Sequence, residues 1–301
     1  MILRAATKRY PGISSYRTEV PFHYRIPAPF RLAPGSYTRD MPKAPSEGQE
    51  TASQAWSRQE LARNPHQSAE KAGKVRAMFA SIATSYDLNN RVHSFGRDQA
   101  WRRRAVRMAD LKPGDAVLDV ACGTGDLTEA FVQAGAGEVV GGDFTPEMLD
   151  QAREKAERFP EEHRPTYVHA DAMDLTQPDG HFDVVSIAFG IRNVTDPSVA
   201  LAEFARVLKP GGRLVILEFA EPRWAPVRWA NRLYCSKIMP WTASLVARDG
   251  SGAYQYLPRS IETFLSAAEL ASLVEKAGLR VVEQVHMTFG VCVATLAVRE
   301  A

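Results

Sequence analysis

Two glycines one residue apart, bracketed by acids, mark the segment Asp119-Val120-Ala121-Cys122-Gly123-Thr124-Gly125-Asp126. It lies where an apolar run gives way to a helical pattern. Glycines there let a ligand approach the backbone, and the helix start offers free N–H groups. A dinucleotide site asks for Gly-x-Gly-x-x-Gly. Here Thr128 takes the third glycine's place, and Asp126 opens the helix with a negative charge that repels a pyrophosphate. A further acid, Asp143, ends the next strand. A carboxylate in that place can accept both hydroxyls of a ribose, each charge-assisted bond contributing ~1.5–3 kcal/mol. Asp171 and Ala172 follow the third strand, placed to meet an adenine edge. The set describes recognition of ribose and adenine without phosphate. S-adenosylmethionine answers that description, its sulfonium and ammonium groups suiting a cleft lined by Asp119, Asp143 and Asp171. Taken one at a time, each acid reads equally well as a loop or capping residue.

These residues need a scaffold that brings strand ends together. Apolar strands are expected at Ala116–Ala121, Glu138–Gly142, Thr166–Ala170, Phe182–Phe189 and Arg213–Phe219, with helices between them at Leu127–Ala134, Thr145–Arg158 and Val199–Leu208. Such alternation makes a doubly wound, mostly parallel α/β sheet, which binds ligands outside the carboxyl ends of its strands. The last third breaks the pattern. A helix at Leu270–Ala277 precedes two strands, Arg280–His286 and Val291–Val298, expected as an antiparallel edge hairpin that completes seven strands. Ahead of the sheet, Val75, Met78, Phe79 and Ile82 recur at helical spacing up to Ser85-Tyr86-Asp87, and a second helix spans about Asp98 to Ala109.

The segment Phe189-Gly190-Ile191-Arg192-Asn193-Val194-Thr195-Asp196, continuing to Arg206-Val207-Leu208-Lys209-Pro210-Gly211-Gly212, resembles the second signature of the quinone C-methyltransferases. These are class I, Rossmann-like enzymes that methylate demethylmenaquinol and the polyprenyl benzoquinol precursor of ubiquinone. Tyr86-Asp87-Leu88-Asn89-Asn90-Arg91-Val92-His93-Ser94-Phe95-Gly96-Arg97-Asp98-Gln99-Ala100-Trp101 is similar to the family's first signature. It departs at Asn89, where the family usually has Met, and at Asp98, where it usually has His. The resemblance covers Val75 to Val298 and implies cofactor contacts at Thr124, Asp143, Asp171, Ala172 and Ala188, the last often Ser in the family. With the glycine loop, the expected cofactor site is Asp119, Gly123, Thr124, Gly125, Asp143, Asp171, Ala172 and Ala188. Arg192 and Asn193, just past the fourth strand, are expected at the quinol head; the competing reading for Arg192 is a salt bridge to an acid such as Asp196.

The chemistry follows from the reactants. A hydroquinone that loses a hydroxyl proton is a carbon nucleophile, and a sulfonium methyl needs no further activation. The protein has to hold carbon and methyl at near-attack distance, worth ~7–11 kcal/mol, and to stabilise the developing phenolate. His93, Asp98, Tyr86, His286 or a water held by Arg192 are the candidate general bases. Two rivals stand beside this reading: a methyltransferase of another small molecule such as a sterol or phospholipid, and a non-catalytic cofactor-binding scaffold of a quinone-synthesis complex.

The chain has 301 residues, 45% apolar and 24% charged, which excludes a disordered or fibrous protein. Cys122, Cys235 and Cys292 lie far apart, so neither a disulfide framework nor a metal cluster is expected. Residues 1–40 carry a net +5 and the remainder a net −3, which argues against nucleic acid as a partner. That basic tail reads as a mitochondrial transit peptide, as a solvated tail, or as an upstream extension with Met41 the true start; the prolines oppose the helix a transit peptide needs. Residues 1–70 are expected as a disordered extension and 71–301 as the catalytic domain, with a lid at about 221–260. Trp224, Trp229 and Trp241 fall in that lid among Arg223, Arg228, Arg232, Lys237 and Arg248, with Tyr234, Ile238, Met239 and Leu245. An aromatic, basic lid suits a prenyl tail drawn from an anionic membrane surface, and equally a lid packed on itself. The expected location is cytoplasmic and peripheral to the inner membrane, or the mitochondrial matrix if the tail is a transit peptide. A homodimer is among the expected assemblies.

Overall fold

The computed structural model describes residues 55–235 and 252–300. The basic tail, residues 41–54, and the lid residues Lys237, Ile238, Met239, Trp241, Leu245 and Arg248 lie outside the described residues.

The apolar runs become the strands of one seven-stranded sheet: β1 (Ala116–Val120), β2 (Glu138–Asp143), β3 (Thr166–His169), β4 (Phe182–Ala188), β5 (Leu208–Phe219), β6 (Leu279–Met287) and β7 (Cys292–Arg299). Their order is β3-β2-β1-β4-β5-β7-β6. β1 pairs in parallel with both β2 and β4, so the loops leaving β1 and β4 part to opposite sides and open a crevice between them. The expected hairpin is present, with β7 pairing antiparallel to β5 and β6 forming the edge. β5 begins at Leu208 rather than Arg213, because Leu208 pairs with Phe182 before Lys209–Gly212 bulge out of register.

Every residue of β1 is buried, as a strand covered on both faces must be. Side chains alternate between the two layers. Leu118 and Val120 pack with Val185, Ile187, Leu201, Phe204 and Val274. Val117 faces the other way, with Val139, Val184, Val215, Trp101, Leu127 and Phe131. The helices of these layers include α4 (Arg97–Met108), α5 (Asp126–Gln133), α6 (Pro146–Ala156) and α7 (Pro197–Val207). Asp196 caps α7 by accepting from the Ser198 and Val199 N–H groups, so it is not the partner of Arg192.

Residues 55–70, expected to belong to the disordered extension, are instead structured. The helix α1 (Arg58–Ala62) starts with a capping box between Ser57 and Glu60, and a 3-10 turn follows at Pro65–Gln67. Its anchor is Trp56, wholly buried and stacked on Tyr256 at 4.9 Å between ring centroids. Trp56, Leu61, Met78, Ile82, Met148 and Tyr256 form a third core that seats α2 (Lys71–Ile82) across the carboxyl end of the sheet. The helix expected to run into Tyr86 stops at Ile82. A 3-10 turn at Ala83–Ser85 redirects the chain into α3 (Tyr86–His93).

Candidate active site

β1 and β4 both end at residues with positive φ, Ala121 (52°) and Phe189 (57°). Those turns stop the strands one residue earlier than the apolar runs suggest. They also bring the two diverging loops into contact: a Cβ placed on Gly190 would lie 2.6 Å from the Ala121 Cβ. Gly125, at φ +85°, has the same close fit, since an added Cβ would meet the Tyr167 hydroxyl at 2.2 Å. Gly125→Ala combines a left-handed alanine with that overlap and should destabilise by ~2–4 kcal/mol. Thermal melting should show the loss, and cofactor affinity by calorimetry should fall at least about tenfold. A variant with unchanged melting and affinity would show that the loop tolerates a side chain there.

The glycine loop is tied to the second strand by Asp143. One carboxylate oxygen accepts the Gly123 N–H at 2.8 Å and the other accepts the Thr145 N–H at 2.8 Å. Burial pushes this carboxyl above its ordinary range, against the pull of the two N–H groups. Asp171 is braced in the same way by the Met173 N–H, at 2.9 Å. Between these two acids and the loop after β4 lies a cavity that is partly open to solvent. On the β2 and β3 side it is lined by Asp143, Phe144, Met148, Asp171, Ala172 and Met173, on the β4 side by Phe189, Asn193 and Val194, and from α2 and α3 by Val75, Phe79 and Tyr86, with Gly123 and Ala188 also on its wall. The lining is mostly apolar with a few fixed polar groups, as a small-molecule site is.

Six of the expected site residues therefore share one cavity: Gly123, Asp143, Asp171, Ala172, Ala188 and Asn193. Four do not line it. Asp119 was expected along the cleft, but strand alternation turns it away from Val120. It sits fully buried, accepting hydroxyl bonds from Thr128 and Ser186, each 2.7 Å, and burial pushes its carboxyl up to about 6. Thr124 is buried and donates to Asp87 at 2.5 Å instead. Gly125 shapes the turn from beneath. Arg192 is buried behind the cavity wall: its Nη1 is 2.8 Å from Glu218 and donates to the Phe189 carbonyl, its Nε is 3.4 Å from the Ser260 hydroxyl, and its guanidinium lies over the Phe219 ring.

Asn193 reaches the cavity from that braced corner, donating to the Phe189 carbonyl at 3.3 Å and accepting from the Tyr256 hydroxyl at 3.0 Å. Of the four side chains considered as general base, only Tyr86 lines the cavity. Burial raises its hydroxyl above the ordinary value, which holds it protonated. Asp98, in the place of the family's usual His, accepts from Arg91 at 2.6 Å and Ser94 at 2.8 Å. Arg91 also bridges to Asp126, which Lys155 joins to Asp87. Although burial pushes the Asp126 carboxyl up, the Arg91 hydrogen bond and the charges of Arg102 and Lys155 hold it well below the usual range. A depressed carboxyl contributes stability above its unfolded value of ~3.9 and loses it as pH falls through the folded value. Asp126→Asn should therefore flatten the acid limb of a melting-temperature profile below about pH 5. An unchanged acid limb would remove this network from the stability of the fold.

Besides Phe144, Met148, Met173 and Val194, the cavity residues that sequence reading missed include a set from α2. Ala72, Val75, Arg76 and Phe79 line it, a stripe at helical spacing. The expected stripe held Val75 and Phe79 together with Met78 and Ile82, which the structure buries in the third core. Glu218 gave no local signal at all.

The family model for the ubiE/COQ5 methyltransferase family matches residues 67–299. A curated protein of Thermus thermophilus named demethylmenaquinone methyltransferase is 46% identical over 215 residues, spanning 71% of this chain and 96% of that protein. A Shewanella halifaxensis protein named ubiquinone/menaquinone biosynthesis C-methyltransferase is 41% identical over 224 residues, 74% of this chain and 89% of that protein. Among solved structures, magnesium protoporphyrin IX methyltransferase of Synechocystis PCC 6803 with bound SAM shares the fold. Its TM-score is 0.54 at 20% identity, over 78% of this chain and 99% of that one.

Proposed function

The chain belongs to the ubiE/COQ5 methyltransferase family, and from that footing we propose that its cavity binds S-adenosylmethionine at the Asp143–Asp171 end and a prenylated quinol at the Asn193 end. It is an S-adenosylmethionine-dependent C-methyltransferase of quinone biosynthesis. Demethylmenaquinol is the preferred substrate on the strength of the Thermus relative's name; the benzoquinol precursor of ubiquinone is the alternative. The observation that carries the reading is a single apolar cavity with paired, braced carboxylates at one end and a braced amide at the other.

The residues present fit the methyl donor. Asp143 retains lone pairs for two ribose hydroxyls after accepting its two backbone N–H groups. Asp171, Ala172 and Met173 would hold the adenine, with the half-exposed Phe144 ring also lining the cavity. Gly123 lets the cofactor's methionyl portion lie against the backbone. When bound, S-adenosylmethionine supplies an electrophilic methyl on a positively charged sulfur.

The chain's own part is positioning. Asn193 aims its amide at the ring oxygen of the quinol, and the Tyr256 hydroxyl fixes which way that amide points. Tyr86 lines the cavity and burial keeps its hydroxyl protonated, so it is the side chain assigned to donate to a developing phenolate. Arg192 acts as a positioning residue: by holding both Glu218 and the Phe189 carbonyl it sets the corner from which Asn193 projects. Val75, Phe79 and Val194 exclude water from the reacting carbon.

Tyr256→Phe should lower kcat about fivefold with the cofactor KM unchanged, because only the Asn193 orientation is lost, at ~1 kcal/mol. Equal kcat in the variant would detach Tyr256 from the substrate end. The reading itself is tested by mass spectrometry with labelled S-adenosylmethionine and, in parallel, reduced demethylmenaquinone and the benzoquinol precursor. Methyl gain on the naphthoquinol alone supports the proposal as stated, and gain on both widens it to two pathways. Gain on neither, with cofactor binding intact, overturns the quinol reading.

A further inference from the structure

Two phenylalanines stand at turn tips in a conformation that bulky side chains avoid. Phe95 has φ 53° and Phe289 φ 58°, and each is 78% exposed. Phe95 makes one ring contact, with Tyr234, and Phe289 makes none among the described residues; a left-handed position is one where Gly or Asn is the unstrained choice.

The helix α8 (Ala225–Leu233) joins the two tips. It has no buried residue, and Trp224 and Trp229 are exposed beside it. At its start, the Phe289 turn closes on it: an added Cβ on Gly290 would lie 3.7 Å from the Pro222 Cα. At its end, the Tyr234 ring lies 5.8 Å from Phe95 and its hydroxyl donates to the His93 carbonyl at 3.1 Å. At ~1.5 Å per residue the helix sets the tips ~15 Å apart, with the tryptophans between them. The fringe is cationic. Arg228 and Arg232 share Glu221, and Arg232 also lies 3.8 Å from Glu262, which leaves Arg223 and, at the start of α4 beside Phe95, Arg97 as the cations outside an ion pair among the described residues.

We propose that this face, Phe95–α8–Phe289, docks the enzyme on an anionic lipid bilayer. Trp and Phe rings at the water–lipid boundary with arginines beside them are the arrangement that binds such a surface. The charge selects a membrane with anionic headgroups over a neutral one. The choice of a bilayer also rests on the quinol reading above, since a prenylated substrate resides in one.

The test uses the full chain with vesicles of phosphatidylcholine alone and of phosphatidylcholine mixed with phosphatidylglycerol. The wild type should co-sediment with the mixed vesicles and bind the neutral ones at least about tenfold more weakly. Phe95→Asn combined with Phe289→Asn keeps a residue suited to left-handed backbone and removes both rings; it should weaken binding to mixed vesicles at least about tenfold. Its methyl transfer to a detergent-dispersed short-chain quinol should match the wild type. Wild-type protein that stays in solution with both vesicles overturns the proposal, as does a double variant that binds like the wild type. A wild-type dimer that the double variant dissociates, without vesicle binding, assigns the face to a second copy and overturns it too. Vesicle binding without transfer to any quinol keeps the docking face and removes the quinol reading; transfer without vesicle binding does the reverse.

Discussion

Asp143→Ala should raise the apparent KM for S-adenosylmethionine by ~10²–10⁴, the largest effect expected of any single substitution at the cofactor end. The carboxylate offers two charge-assisted hydrogen bonds to the ribose, and each contributes ~1.5–3 kcal/mol. The same change also leaves the Gly123 and Thr145 N–H groups without their acceptor, so the glycine loop loses its tie to β2. Asp143→Asn separates the two effects. Its amide oxygen can replace one backbone bond but carries no charge, so it should fall between the alanine variant and the wild type. Initial-rate kinetics with the cofactor varied, checked by calorimetry, give the measurement. A KM within about threefold of the wild type in the alanine variant would remove Asp143 from ribose recognition.

The second large effect is on stability. Arg192→Ala strips the cation from Glu218, which is 4% exposed. Breaking a buried pair on one side costs ~3–5 kcal/mol, because the remaining charge has neither water nor partner. For a domain of this size that is a fall of roughly 6–20 °C in Tm. Burial already pushes the Glu218 carboxyl up against the pull of Arg192, so part of the loss should be recovered by protonation at low pH. Arg192→Met with Glu218→Leu replaces the pair by apolar groups and should return Tm to within a few degrees. Its kcat should stay low, since the Phe189 carbonyl and the Asn193 corner are no longer held. A single variant that melts like the wild type would show that the pair does not hold this corner. A double variant with full kcat would show that the corner needs no charge.

Both predictions concern acids near the sheet's carboxyl edge, and the sequence treats them very differently. Asp143 is legible because its place is local: it ends an apolar run, and a helix start with Thr145-Pro146 follows at once. Asp119 interrupts a similar run, Ala116–Ala121, and was expected to face the same cleft. A strand buried on both faces is apolar on both, so its pattern does not say which parity points at the ligand. The register of β1 between β2 and β4 decides it, placing Asp119 opposite Ser186.

The N-terminal cap divides in the same way. The capping box Ser57-x-x-Glu60 was present in the sequence and marks α1. Five residues of helix show no apolar period, however, and the residue that anchors them is Trp56, whose partner Tyr256 lies almost at the other end of the fold. The α2 stripe was readable as a helix but not as a cavity wall. One side of it meets the third core and the adjoining side meets the ligand space, and both sides are apolar.

By itself, then, the sequence determined what backbone geometry and short spacing can carry: the strand–helix alternation, the glycine loop, the acids after β2 and β3, the terminal hairpin and the family. Tertiary structure alone decided the partners. Arg192 had Asp196 four residues away and pairs instead with Glu218, which parallel pairing of β4 with β5 brings beneath it. Asp196 is drawn off by the N–H groups at the start of α7. The reason is physical: a turn or a cap is set by dihedral angles a few residues wide, whereas a buried charge takes whichever opposite charge the packed sheet delivers, at any separation along the chain.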